Sequence, residues 1–274
     1  MSKILIVIPA RYGSTRLPGK PLLKIRGIEM IKRVSAIAEN VSIQYEDCSY
    51  VVATDDERIE KFCQLNNIPS VMTSESCKSG TDRSWDAVKH VEQKPEFVIN
   101  LQGDNPLCPP WFITSLIDEW LNTQTKGVYT AYVPLNWEEL DKLREVKEVT
   151  PHSGTTVQID RSGYAITFSK GILPVLRKEE SLREKLAVSP VKRHIGLYAY
   201  TYDALESFFE WDEGIYEACE GLEQMRFIEN ETPIKMVEVG YQGRIGMSGV
   251  DSPEDIARAE AIIDQCGEFD FLAS

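Results

Sequence analysis

Residues 9–22, near the N-terminus, gather side chains that bind phosphate. They follow the apolar run Ile4–Ile8 and include Arg11, Arg16 and Lys20, together with two glycines and two hydroxyl residues. Arginine can contact two phosphate oxygens at once, whereas lysine acts as a mobile point charge. Cations on a glycine-containing loop after a parallel strand are typical of anion sites. The segment therefore predicts a polyphosphate site.

This loop differs from two known nucleotide-binding loops. A Walker loop has four residues between its glycines and a Ser or Thr after its lysine. Here five residues separate Gly13 from Gly19, and Pro21 follows Lys20. The dinucleotide fingerprint G-x-G-x-x-G is absent as well. The remaining alternative is a surface loop with solvated charges.

The first half of the chain alternates short apolar runs with amphipathic segments. The candidate strands are Ile4–Ile8, Tyr50–Ala53, Ser70–Met72 and Phe97–Leu101. Apolar residues recur at helical spacing in residues 31–38 and 59–63. This alternation predicts an α/β fold with a mainly parallel sheet flanked by helices. Ligands of such sheets bind at the carboxyl ends of strands, so we expect the chemistry in the loops that begin at Pro9 and Gln102.

After Val133 the pattern changes and predicts antiparallel additions. Thr156–Ile159 and Tyr164–Phe168 flank a glycine-containing turn and predict a hairpin. Residues 172–191 are charged and interrupted by prolines, which predicts an irregular lid or interface arm. The remaining predicted elements are a strand at His194–Thr201, a helix at Leu222–Ile228, a strand at Ile234–Val239 and a final helix opened by Ser252 and Pro253.

Composition excludes several classes of protein. With 274 residues and 42% hydrophobic residues the chain can bury a core, which excludes intrinsic disorder. A formal net charge of −13 and a pI near 4.8 argue against nucleic acid as a partner. The N-terminal apolar run is too short for membrane insertion. Six scattered cysteines and three histidines favour reduced thiols in the cytoplasm over disulfides or a zinc site.

A series of motifs along nearly the whole chain resembles the CMP-Kdo synthetases, which are 3-deoxy-manno-octulosonate cytidylyltransferases. These motifs are Pro9–Leu22, Ser79–Arg83, Asn100–Asp104, Arg193–Gly196, Leu222–Arg226 and Gly249–Asp255. The resemblance implies a nucleotide-diphospho-sugar transferase-like fold, Mg²⁺ as cofactor and a homodimer. It also implies that CTP and a 2-keto-3-deoxy acidic sugar give a CMP-sugar and pyrophosphate, in lipopolysaccharide or capsule precursor synthesis.

Nucleotidyl transfer requires cations at the phosphates and hard oxygen ligands for magnesium. We assign Lys20, Arg11, Asp104 and Asp251 to catalysis, and the resemblance assigns the two aspartates to the metal. From local sequence alone, Asp104 can also be a turn residue before Pro106, and Asp251 a helix-start residue. No dedicated general base is expected, because a sugar hydroxyl bound to magnesium is acidified by the metal.

The expected contacts to CTP come from the phosphate loop and from the polar residues after the third strand. They are Ala10, Arg11, Arg16, Lys20, Ser79, Thr81 and Arg83. In the family that the chain resembles, the stretch matching Ser79–Arg83 holds cytosine and ribose. Asp82 within it is either a helix cap or a ligand contact.

The resemblance places the acidic sugar on residues from several motifs. They are Gln102, Lys170, His194, Glu223 and Gln224. His194 can equally be a satisfied strand residue. We expect three parts in the chain: residues 1–135 bind nucleotide, residues 136–240 bind sugar and form the dimer contact, and residues 241–274 return with the metal aspartate and the final helix.

Three residues depart from the family's usual pattern on the sugar side. Asn105 stands in place of a glutamate, Lys170 in place of an arginine and Val175 in place of an aromatic residue. Lysine keeps the charge but loses the two-point geometry of arginine. We therefore expect Kdo or a close analogue, such as the 8-amino form, as acceptor. The alternatives are another small acid or phosphonate as acceptor, or a catalytically inactive nucleotide-binding module.

Overall fold

The computed structural model describes residues 3–13, 17–247 and 249–272, which fold into two compact units. Unit 1 comprises Met1–Thr114, Leu197–Tyr202 and Tyr241–Ser274, and unit 2 comprises Ser115–Gly196 and Asp203–Gly240. The three parts expected from sequence were defined by function, and the two units follow other bounds. The C-terminal return belongs to unit 1.

The strands are β1 (Ile4–Ala10), β2 (Lys24–Ile25), β3 (Ile28–Glu29), β4 (Cys48–Thr54), β5 (Ser70–Met72), β6 (Phe97–Asn100), β7 (Val128–Pro134), β8 (Thr156–Ile159), β9 (Ala165–Ser169), β10 (Lys192–Thr201) and β11 (Ile234–Glu238). The α-helices are α1 (Met30–Ser42), α2 (Glu57–Leu65), α3 (Gly80–Val88), α4 (Pro110–Thr123), α5 (Trp137–Val149), α6 (Glu179–Lys185), α7 (Tyr202–Phe208), α8 (Ile215–Glu220), α9 (Gln224–Glu229) and α10 (Pro253–Cys266). Within the described ranges, no helix combines the length and the apolar character that crossing a membrane requires.

The sheet of unit 1 has the strand order β10-β6-β1-β4-β5. Strands β6, β1, β4 and β5 run parallel, and the end of β10 runs antiparallel to β6. The predicted mainly parallel sheet with antiparallel additions is confirmed. Its parallel strands bring the loops after β1, β4, β5 and β6 to one edge, which is where the sequence predicts the chemistry.

Helices α1 and α2 form where the sequence predicts helical spacing. Apolar residues of α1, including Ile31, Val34 and Ile37, are buried, and the helix packs against β1 and β4. Ile59 and Cys63 form the buried face of α2. Each crossover therefore covers the sheet with one apolar stripe.

Unit 2 contains the predicted hairpin and several helices that the sequence analysis missed. Strands β8 and β9 pair antiparallel, and β11 pairs parallel with β7. Helix α5 is opened by a capping box between Asn136 and Glu139, a signal that the sequence carries. The segment 172–191, predicted to be irregular, includes the short helix α6, where Glu179 pairs with Arg144 at 2.7 Å.

His194 is buried in unit 2. Its Nε2 lies 2.8 Å from the Thr130 hydroxyl, which also donates to the Ile195 carbonyl. Phe168 contacts the imidazole edge to face, with centroids 5.0 Å apart. Burial, with a smaller contribution from the charge of Lys170, lowers the pKa of His194 to about 3. The imidazole is therefore neutral at neutral pH.

We predict that His194 makes the protein less stable in acid. The unfolded chain binds this proton near pH 6.5 and the folded chain only near pH 3, so the free energy of unfolding falls as the pH drops through that window. In His194→Gln this contribution disappears, and the pH dependence becomes shallower by up to about 1.4 kcal/mol per pH unit. Urea unfolding at a series of pH values measures this difference, and parallel curves for the two proteins would contradict it.

Candidate active site

A cavity of about 230 Å³ opens in unit 1 at the carboxyl ends of its parallel strands. It is formed by the end of β1, the short 3₁₀ helix Lys20–Leu22, the start of α3, the loop after β6 and the approach to α10. Its lining includes many residues that the sequence analysis named, which are Ala10, Arg11, Lys20, Ser79, Arg83, Gln102, Asp104 and Asp251. Arg16 lies outside the described residues.

Lys20 joins two carboxylates in this cavity. Its Nζ donates to Asp104 Oδ2 at 2.8 Å and to Asp251 Oδ1 at 3.0 Å. The lysine side chain is only 15% exposed, whereas those of Asp104 and Asp251 are 31% and 47% exposed. The structure thus brings together three of the four residues that we assigned to catalysis, and the fourth, Arg11, lines the same cavity.

The position of Lys20 depends on the backbone of Gly19. Gly19 has a φ of 69°, in the left-handed region that glycine adopts without strain. Its N–H donates to the Tyr12 carbonyl at 3.0 Å, which closes the loop. The 3₁₀ helix begins at Lys20, with Pro21 in its first turn. The proline that excludes a Walker loop therefore helps to start the turn that carries the lysine.

Asp104 follows β6 at a point where two backbones nearly touch. A Cβ atom on Gly103 would lie 2.5 Å from the Pro9 carbonyl oxygen, so only glycine lets the loop pass the end of β1 this closely. The carbonyl of Asp104 accepts a hydrogen bond from Val250 N–H at 2.8 Å. This bond ties the Asp104 loop to the residue before Asp251.

The start of α10 separates the two interpretations of Asp251. Ser252 accepts from Asp255 N–H, and the Asp255 carboxylate accepts from the N–H groups of Asp251 and Ser252 at 2.9 and 3.1 Å. This capping box is formed by Ser252 and Asp255. A carboxylate oxygen of Asp251 instead contacts Lys20.

An apolar cluster packs against the segments that carry Lys20, Asp104 and Asp251. It joins residues of the phosphate loop and of the Asp104 loop to residues of the C-terminal return and α10. Its members include Leu17, Met30, Leu107, Val250, Ile262 and Ile263. Burial of these side chains holds together chain segments that are distant in sequence.

The residues predicted to contact cytosine lie at the start of α3, where their side chains make different contacts. Ser79 accepts from Asp82 N–H, and the Asp82 carboxylate accepts from the N–H groups of Ser79 and Lys78. Asp82 therefore serves as a helix cap, one of its two predicted roles. Thr81 is buried and is not among the residues that line the cavity.

Arg83 lines the cavity and is held by a partner that the sequence analysis missed. Its Nη2 donates to Asp55 Oδ2 at 2.6 Å and its Nη1 to Thr73 Oγ1 at 2.6 Å. Only 3% of the arginine side chain is exposed. Asp55 directly follows β4, so its place at a strand end was the available signal.

The predicted sugar contacts are divided between the two units. Gln102 lies in the unit 1 cavity, where its Nε2 donates to Asn100 Oδ1 at 3.2 Å. In unit 2, Lys170 follows β9, and helix α9 packs against that strand. Glu223 and Gln224 open α9. Gln224 is buried, and its Nε2 lacks a hydrogen-bond partner among the described residues.

Two of the departures from the family pattern can also be located. The Oδ1 of Asn105 is buried and has no hydrogen-bond partner in the part of the chain that the structure describes. The side chain of Val175 is 80% exposed. A buried polar atom without a partner costs about 1–3 kcal/mol, so Asn105 is a place where a ligand or water can be accommodated.

Comparison with known proteins shows the family of the chain. The model of the cytidylyltransferase family matches residues 5–236. The 3-deoxy-manno-octulosonate cytidylyltransferase of Maricaulis maris is 41% identical, over 97% of this chain and 98% of that protein. That of Desulfosudis oleivorans is 36% identical, over 95% of this chain and 97% of that protein.

Similarity extends to three-dimensional structure. The solved structure of a CMP:2-keto-3-deoxy-manno-octonic acid synthetase complexed with CTP superposes with a TM-score of 0.81 and 33% identity. The match covers 96% of this chain and 99% of that one. The resemblance inferred from the motifs is confirmed. The chain therefore belongs to the cytidylyltransferase family, among the CMP-Kdo synthetases.

Proposed function

We propose that this protein is a cytidylyltransferase that transfers CMP from CTP to a 2-keto-3-deoxy sugar acid and releases pyrophosphate. The acceptor is Kdo or a close analogue. The observation that carries the proposal is the contact of Lys20 with both Asp104 and Asp251 in a cavity that Arg11 and Arg83 also line. The names of relatives that match nearly the full chain support the same activity.

In the proposed reaction a sugar hydroxyl oxygen forms a bond to the α-phosphorus of CTP. The bond from that phosphorus to the β-phosphate oxygen breaks, pyrophosphate leaves, and the hydroxyl proton goes to solvent. Charge grows on the phosphate oxygens during transfer, so fixed cations lower the barrier. Lys20 and Arg11 supply the positive charge at the phosphates. The buried pairing with Asp55 fixes the Arg83 guanidinium, which we propose donates to the cytosine of CTP.

The residues present fit the Mg²⁺ that the resemblance implies. Asp104 and Asp251 offer hard oxygen atoms at one point of the cavity. In residues 3–13, 17–247 and 249–272, no group of three or more His, Cys, Asp or Glu side chains could hold a metal alone. Mg²⁺ usually takes one or two carboxylates and completes its shell with phosphates and water. When bound, it would polarise phosphate and hydroxyl oxygens.

On the acceptor side, we propose that Lys170, His194, Glu223 and Gln224 of unit 2 contact the sugar. Gln102 stays a predicted sugar contact. His194 is neutral, so it acts as a hydrogen-bonding group and leaves the carboxylate to Lys170. The unpartnered Nε2 of Gln224 is suited to donate to a sugar oxygen.

We further propose that the product enters lipopolysaccharide or capsule precursor synthesis in the cytoplasm. The six cysteines are free thiols, as is usual in a reducing compartment.

Pyrophosphate release with CTP and a panel of acids tests the function directly. The panel contains Kdo, 8-amino-Kdo, a sialic acid and a small phosphonate. We expect turnover with Kdo or its 8-amino analogue in the presence of Mg²⁺, and none in excess chelator. Turnover only with the phosphonate would favour the alternative acceptor, and CTP binding without turnover on any acid would favour an inactive module.

Asp251→Asn, Asp104→Asn and Lys20→Ala should each lower turnover by about 100-fold or more, because each removes part of one charged assembly. The free energy of unfolding should change by about 1 kcal/mol or less, since these side chains are partly exposed. Asp264→Asn is the control and should keep wild-type turnover, because Asp264 lies on α10, the helix that begins after Asp251, and outside the cavity. Normal turnover in Asp251→Asn would remove it from the site.

Asp55→Asn should raise the KM for CTP by about tenfold and reduce the preference for CTP over UTP, since Arg83 loses its charged partner. Asp56→Asn is the matched control, because Asn preserves the N-cap of α2 and the residue lies outside the cavity. Steady-state kinetics with both nucleotides measure the effect. An unchanged CTP preference in folded Asp55→Asn would show that Arg83 does not read the base.

We also propose a homodimer formed by residues 136–240. Several large apolar side chains in this range are exposed, including Val149, Ile166, Val175 and Ile215. Burial of such side chains favours association. Sedimentation at micromolar concentration should give twice the mass of one chain, and a fully active monomer would contradict the proposal.

A further inference from the structure

Lys147 of unit 2 inserts its ammonium among backbone carbonyl groups. Its Nζ donates to the carbonyls of Ser153 at 2.6 Å, Gly154 at 3.0 Å and Lys170 at 2.6 Å. A fourth carbonyl, that of Pro151, lies 3.4 Å away. An ammonium has three N–H donors, and three short bonds use all of them. Lys147 thus links α5, the loop that follows it and the end of β9.

This use of a lysine is unusual because, among the described residues, no carboxylate pairs directly with its ammonium. Among the described residues Lys147 forms hydrogen bonds only to carbonyl oxygens. Burial lowers its pKa, the charges of Lys170 and Arg193 lower it further, and the charge of Glu220 opposes this shift in part. Burying an ammonium costs free energy. The hydrogen bonds from Lys147 to the carbonyl oxygens must therefore offset that desolvation cost.

The backbone around Lys170 is held at consecutive groups. Its N–H donates to Glu220 Oε2 at 2.8 Å, and its carbonyl accepts from Lys147. The next carbonyl, that of Gly171, accepts from Thr156 Oγ1 at 2.8 Å. In contrast, the Lys170 ammonium forms no hydrogen bond or ion pair with any residue that the structure describes. The chain therefore fixes the base of this side chain and leaves its charged end available.

We propose that Lys147 and Glu220 are positioning residues that aim the Lys170 ammonium at the carboxylate of the sugar acid. This inference rests on the proposed function. Lysine is a point charge on a flexible stem and lacks the rigid fork of arginine. Where the family usually has arginine, this chain compensates for that flexibility by fixing the backbone on both sides of Lys170.

Charge supports the same assignment. Lys170 and Arg193 are close enough for their charges to act on Lys147, although the chain as a whole carries −13. The nearby carboxylate is that of Glu220, which accepts from Ser169 Oγ and Lys170 N–H rather than from an ammonium. The cluster therefore keeps positive charge for an anion.

The test compares Lys147→Met, Lys170→Met and the double variant, with Lys142→Met as control. Lys142 lies on the same helix, and its one ion pair among the described residues is with exposed Glu138. Kinetics with CTP and Kdo are measured together with hydrogen exchange of the Lys170 amide in the ligand-free protein. Lys147→Met should raise the KM for Kdo by about tenfold, leave the KM for CTP unchanged and speed amide exchange at Lys170. The control should do neither.

The double variant separates positioning from a general structural role. If Lys147 acts through Lys170, the KM for Kdo in the double variant should match that of Lys170→Met, whereas independent effects would multiply. Multiplied effects, an unchanged KM for Kdo in Lys147→Met, or an equal rise in the KM for CTP would each overturn the inference. A wild-type protein without turnover on any sugar acid would overturn the proposed function and this inference together, even if amide exchange responds as expected.

Discussion

The ammonium of Lys20 lies between two carboxylates that are 84 and 231 residues away in the chain. Two carboxylates this close would repel each other without a cation between them. Lysine offsets only part of their charge, so the three groups together keep a net negative charge. A triphosphate would be repelled by that charge unless further cations approached with it. In the proposed function, Arg11 and a divalent cation would supply the positive charge that the three groups lack.

Most of unit 1 serves to make this contact possible. The parallel strands bring the loops after β1 and β6 to one edge, and Gly103 lets them approach within the reach of a side chain. The hydrogen bond from Val250 to Asp104 and the apolar cluster under α10 bring the third segment. Backbone and core therefore position the charges, and the charged side chains themselves need contribute little to stability.

The sequence predicted the sheet and the strand ends at which Arg11 and Lys20 line a cavity, because periodicity and the carboxyl-end rule depend on local order. It could not assign Asp251 from its surroundings, since the same residues also describe a helix start. Asp55 escaped notice because its partner, Arg83, lies on another element. Burial of His194 likewise depends on residues from β7 and β9, which no local pattern around it reveals.

The role of Lys147 also could not be predicted from the local sequence. On α5 it stands among charged residues and looks like one more solvated side chain, yet its ammonium is bound by backbone carbonyls. The Lys147 ammonium is thus paired within unit 2. By contrast, the Gln224 Nε2 and the Lys170 ammonium have no hydrogen-bond partner among the described residues. A site with unpaired hydrogen-bond donors binds poorly any molecule that cannot accept those bonds. The reason is that a buried donor without a partner costs free energy in such a complex. If Gln224 and Lys170 contact the sugar as proposed, selectivity for the sugar substrate depends on which of its oxygen atoms can accept hydrogen bonds from these donors.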